Sequence, residues 1–146
     1  MGEYEIIEIV ESDEIREIVH GMAGQGAPMV LLLPDVTDAN ERGVGLALAA
    51  VLERYGRGGM QQTLYVCVRE LVANAVKANV KNVFFDEQGF DITNHDQYEK
   101  GISLFKKNLN EDWIREQYSR ARGRGLDVRI YFTHSEDGLR IEVVNN

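Results

Sequence analysis

The sequence predicts an α+β fold, and three observations carry that expectation. The chain opens on a strand–helix–strand pattern, its middle holds long helical periodicities, and it closes on two alternating segments joined by a turn. A length of 146 residues, with 44% hydrophobic and 27% charged side chains, suits one domain able to bury its own core. Two prolines and no long polar tract argue against a disordered chain.

Taken in order, Tyr4-Glu-Ile-Ile-Glu-Ile-Val10 is β-branched and half alternating, and reads as the first strand. Ser12 caps a short helix over Asp13 to His20, whose first turn is acidic where the helix dipole favours anions. Gly21-Met-Ala-Gly-Gln-Gly26 then follows a helix and precedes a strand. A phosphate-cradling loop needs the reverse order, so this is a helix stop. The apolar run Met29–Leu33, closed by Pro34, suits an interior strand, and the opening is β-α-β.

Thr37 or Asp38 starts a second helix that runs to about Tyr55, with Val44, Leu48, Val51, Leu52 and Tyr55 at helical spacing. Asp38 and Glu41 read as a capping box, in preference to a divalent-ion cluster with Asp35. A third helix spans about Met60 to Asn79, a short strand follows at Asn82–Phe85, and residues 86–96 read as loop. Tyr98, Ile102, Phe105, Leu109 and Trp113 predict one amphipathic helix continuing to about Arg122. Its basic end, Arg120-Ala-Arg-Gly-Arg-Gly125, complements the helix dipole rather than marking a nucleic-acid patch. Val128, Ile130 and Phe132, then Leu139, Ile141 and Val143, alternate with polar residues about Ser135-Glu-Asp-Gly138, which predicts a hairpin.

The formal charge of -8 sits wholly in residues 1–42, and residues 43–146 are neutral. Only a short basic face is available to displace the counterions of a duplex, so nucleic acid is not expected as a partner. Cys67 is the only cysteine, which excludes an intramolecular disulfide and disfavours a zinc site; it lies on an apolar arc and reads as a buried thiol. Met29–Leu33 is far too short to span a bilayer and the N-terminus does not resemble a signal peptide, so a soluble cytoplasmic protein is expected.

The third helix carries the chemistry. At 100° per residue, Glu70, Asn74 and Lys77 share an arc of about 60°. Met60, Leu64, Cys67, Val68, Leu71, Val72, Ala75 and Ala78 fill the arc beside it, which sets the polar stripe at the rim of the buried face. A carboxylate and an amide oxygen there can approach a magnesium ion or its waters, and the amine can meet phosphate oxygens. An i,i+4 polar pair with a solvated lysine explains the same spacing.

Glu70-Leu-Val-Ala-Asn-Ala-Val-Lys-Ala78 resembles the N-box of the histidine-kinase-type ATPase (GHKL) superfamily, whose members bind ATP in an α/β sandwich. The resemblance covers about residues 60–146 and implies that Asn74 holds magnesium, Glu70 acts as general base or orients the metal shell, and Lys77 and Ala78 line the nucleotide. In that family the strand after the hairpin ends in Val-x-Asp-x-Gly-x-Gly, and its Asp accepts from the adenine amino group. Here Ile141-Glu-Val-Val-Asn-Asn146 places Asn145 at the Asp position, and the glycines are not present. The reading is therefore an acidic β-α-β segment (residues 1–36) followed by a partial ATPase-like domain (residues 37–146), cut within the nucleotide site and binding ATP and Mg2+ weakly or not at all.

None of His20, His95 and His134 fits a phosphoacceptor, so each is assigned a surface or capping role. The expected function is an ATP-binding module of bacterial-type signal transduction. The alternative is a non-catalytic interaction module that docks a protein partner through its acidic front, with self-association through helices or the last strand.

Overall fold

The computed structural model describes residues 5–8, 17–19, 21, 26 and 28–145. Four strands, β1 (Glu5–Glu8), β2 (Met29–Leu32), β3 (Val128–Ser135) and β4 (Gly138–Asn145), form one sheet in the order β1-β2-β3-β4. β1 and β2 are parallel, and the other two pairs are antiparallel. A parallel pair needs a crossover, as the β-α-β opening predicts. Of the crossover helix expected over Asp13 to His20, Glu17–Val19 are described and helical, while the Ser12 cap lies outside the described residues. β2 is bonded to both β1 and β3, so the sheet runs across the boundary at residues 36/37.

Between β2 and β3 lie four α-helices, α1 (Asp38–Arg54), α2 (Gln61–Gln88), α3 (His95–Asn108) and α4 (Glu111–Gly123), with a single 3-10 turn at Gly58–Met60. The period-2 pattern of the hairpin sends Val128, Ile130 and Phe132 to one face with Met29 and Leu31, and opposite them on β4 stand Val143 and Ile141. That face carries the core, where Leu48 and Val51 of α1, Val76 and Val80 of α2 and Tyr118 of α4 are buried together. Each such side chain contributes about 1.5–3 kcal/mol on leaving water. The fold is α+β.

Three elements differ from the sequence reading. The segment Asn82–Phe85 is not a strand; α2 continues through it and closes at Gly89, whose φ of 71° is the left-handed cap that glycine adopts without strain. Short β-branched and aromatic runs have no period of their own. Here Val83, Phe84 and Phe85 are buried under α3 and α4, with the Phe84 ring 5.7 Å from Trp113 and 6.0 Å from Phe105. The helix expected from Tyr98 to Arg122 is two helices. Asn110 breaks it by accepting from the Trp113 N–H at 2.9 Å, followed by Glu111 and Asp112 in the new first turn. The capping box of Asp38 and Glu41 does not form either: Thr37 alone caps α1, through the Asn40 N–H at 3.1 Å, and Glu41 faces Arg69 at 3.8 Å.

The basic end of α4 does face acids. Arg120 and Arg124 reach Glu87 and Asp86 at the end of α2, at 2.8–3.2 Å. Such exposed pairs fix an angle between helices more than they add stability.

α3 docks on α2 through Gly101, and this contact is testable. A Cβ at Gly101 would meet the Phe85 ring at 2.4 Å, and that ring is hemmed in by Phe84, Phe90 and Tyr98. Gly101→Ala gains about 1 kcal/mol of helix propensity yet loses more to overpacking. A net destabilisation of about 1–2 kcal/mol is expected in urea melts; a variant more stable than wild type would show that the ring yields.

Candidate functional site

α2 is long enough, at about 42 Å, to meet the sheet, α1, α3 and α4 in turn. Between Val68 and Asn79, Val68, Ala75, Val76 and Asn79 point inward, and Glu70, Asn74 and Lys77 occupy the opposite, exposed face. The stripe is thus not at the rim of the buried arc but on the outer side. The apolar residues counted as its neighbours explain the difference. Met60 (48% exposed), Leu71 (50%) and the thiol-bearing Cys67 are exposed, so Cys67 is not a buried thiol. The apolar stripe of α2 is wider than the surface that α1 and the hairpin can cover. What is left is a groove of about 420 Å³ between Leu64, Cys67 and Leu71 on one side and Leu139 and Ile141 on the other.

Glu70, Asn74 and Lys77 make no side-chain hydrogen bond or ion pair with any described residue. The i,i+4 polar pair that would account for them as surface decoration is not formed. Lys81 continues the same face, 5.8 Å from the Tyr98 ring centroid. Ala78 is half-buried at its edge.

Asn145 sits at the end of β4, tied to the inward flank of α2 rather than to the stripe. Its Nδ2 donates to Asn79 Oδ1 at 3.2 Å, and Asn79 Nδ2 donates to the Asp127 carbonyl at 3.0 Å. The order is forced: a carbonyl only accepts, so the Asn79 amine faces Asp127 and its oxygen must face residue 145. Asn79 is completely buried and cannot turn to water instead. A carboxylate at 145 would oppose that oxygen, whereas an amide donates to it. Here lies a physical reason for Asn at this position, and it leaves Asn145 Oδ1 as an acceptor without a hydrogen bond among the described residues.

Asn79 itself is a residue that motif reading passed over. Its signal was present, since a polar side chain at the centre of an apolar arc has to find buried partners. Of the histidines, His20 lies outside the described residues. His95 opens α3 beside Glu99 at 3.5 Å. His134 is not a surface or capping residue: it is buried on the core face of β3 and its Nδ1 meets the Tyr55 hydroxyl.

Among the described residues no helix is long and apolar enough to cross a membrane, and no group of three or more His, Cys, Asp or Glu side chains is placed to hold a metal ion.

Compared with known proteins, the chain is 32% identical over 103 residues to an uncharacterized protein of Treponema pallidum (strain Nichols). The match takes in 70% of this chain and 20% of that protein, so the chain spans about a fifth of the relative's length. No family model and no solved structure matches it.

Proposed function

We propose that the chain carries the metal- and phosphate-binding helix of a histidine-kinase-like ATPase, with α2 as its N-box. The observation that supports this reading is the open face of Glu70, Asn74 and Lys77, three chemically distinct groups in one arc with no partner among the described residues. Magnesium keeps several waters and takes one or two protein ligands besides phosphate, so Asn74 Oδ1 with Glu70 beside it is a donor set of the right kind. In this reading the exposed Glu70 would accept a proton from a water near the phosphates, and Lys77 would offset their charge. Asn145, tied to Asn79 on the opposite flank of the helix, takes no part in this reading. In a longer protein this helix would serve ATP-dependent signal transduction.

A titration of 15N-labelled protein with Mg2+ and the non-hydrolysable analogue AMP-PNP tests the reading even at millimolar affinity. Amide shifts are expected at residues 70–82, and Asn74→Ala should reduce them at least about tenfold in apparent affinity. A spectrum that does not move, or shifts elsewhere, would overturn it. That outcome favours the interaction module instead, which the exposure of Met60, Leu71 and Val66 (60%) already supports.

A further inference from the structure

On the side of α2 away from the hairpin lies a second cavity of about 370 Å³, which the sequence motif and the proposed nucleotide face touch only at Lys77. Its walls are the β2–α1 connection, the first turns of α1 and α4, and α2 from Tyr65 to Lys77. Leu33, Val44, Val76 and Ile114 are buried and form an apolar floor, with Val36 and Val72 partly exposed above them.

The charges around it are unevenly engaged. Arg69 and Glu41 face each other at 3.8 Å, and Tyr65 donates to the Glu41 carbonyl at 3.2 Å. Asp35 accepts from the Val36 N–H at 2.7 Å. Asp38 and Glu111 are exposed first-turn residues of α1 and α4, where the helix dipole favours their charge. Two cations remain. Lys77 has no partner among the described residues. Arg115 is held by its Nε, which donates to the Val36 carbonyl at 3.0 Å, and its two terminal nitrogens make no hydrogen bond with a described residue. A fixed guanidinium with its fork open, over an apolar floor, matches a carboxylate on an apolar body. The volume falls within the range of small-molecule sites.

We infer that this cavity binds a small amphipathic carboxylate, its chain or ring on the Val44–Val76–Ile114 floor and its head group at Arg115 and Lys77. The site stands apart from the nucleotide reading, with which it shares Lys77 alone. An occupant would draw that ammonium away from phosphate, so the two ligands would compete through one side chain.

Decanoate is the probe. Calorimetry and 15N spectra of the whole chain should show saturable binding, with shifts at Val36, Val44, Ala73 and Ile114. Decanol should bind at least about tenfold more weakly, and the double variant Lys77→Gln with Arg115→Gln should erase that difference. Ala73→Phe, which fills the cavity, should abolish binding while its spectrum stays folded. No saturable binding, equal affinity for decanol, or shifts confined to the Leu71–Ile141 groove would each overturn the assignment. Failure with AMP-PNP alongside success with decanoate would remove the nucleotide reading and leave this one in place.

Discussion

Tyr118→Phe is expected to lower the unfolding free energy by about 2–4 kcal/mol, although only one oxygen is removed. The phenol is completely buried on α4, where it donates to the Leu33 carbonyl at 2.8 Å and accepts from the Val128 N–H at 3.2 Å. Leu33 N–H already bonds the Val128 carbonyl at 3.1 Å. The hydroxyl therefore stands in for the second bond of the Leu33–Val128 pair, just past the end of the β2–β3 ladder. Phe leaves two buried backbone groups without partners, each costing about 1–3 kcal/mol. Burial also pushes the Tyr118 hydroxyl up to about 12, and its bond with Val128 offsets this only in part. A group whose pKa rises on folding gives stability that is complete below the unfolded value, near 10, and is lost as pH climbs toward 12. The wild type should thus lose stability over pH 10–12 more steeply than Tyr118→Phe, which keeps only the contribution of other raised tyrosines such as Tyr65. Urea melts at pH 7 and across that window check both parts, and a variant within about 0.5 kcal/mol of wild type at pH 7 would show that the rung is not needed.

Asn79→Asp is expected to fold normally in mild acid and to fail toward neutrality. A protonated carboxyl reproduces both bonds of the amide, donating to the Asp127 carbonyl and accepting from Asn145 Nδ2. The ionised form opposes the Asp127 carbonyl in a position with no access to water. Folding must therefore raise the carboxyl pKa above its free value of about 3.9. Stability is retained below that value and falls as pH rises toward the folded pKa, with a ceiling of about 4 kcal/mol at pH 7. Asn79→Ala should be destabilised too, but without added pH dependence. Melts of the three proteins at pH 4 and pH 7 separate these outcomes. A flat difference between Asn79→Asp and Asn79→Ala would mean that water reaches the site.

These two residues mark where sequence reasoning stops. The hairpin was legible because Val128, Ile130, Phe132 and their partners on β4 alternate, and a half-buried strand requires that alternation. The starts of α1, α3 and α4 carry Thr37, Asn94 and Asn110, whose side chains accept from backbone N–H groups three residues on. The Asn110 cap was nevertheless hidden by an apolar spacing of three and four that continued across it. Asn82–Phe85 misled for a related reason, since four residues of high β propensity carry no period and the covering helices are remote in sequence.

For the candidate site, the spacing of Glu70, Asn74 and Lys77 on one face follows from helix geometry and needed no tertiary information. Which way that face points did need it. Helical periodicity ranks positions around an axis, but the width of the buried stripe depends on how much surface α1 and the hairpin present to α2. They cover Val68 and Val76 and stop short of Leu71 and Cys67. The sequence by itself determined the α+β class, the hairpin register and the grouping of the three polar side chains, because those depend on near neighbours along the chain. The tertiary structure alone decided the outward stripe, the Tyr118 rung, the Asn79–Asn145 tie and the cavity holding Lys77 and Arg115, because each joins groups that only packing brings together.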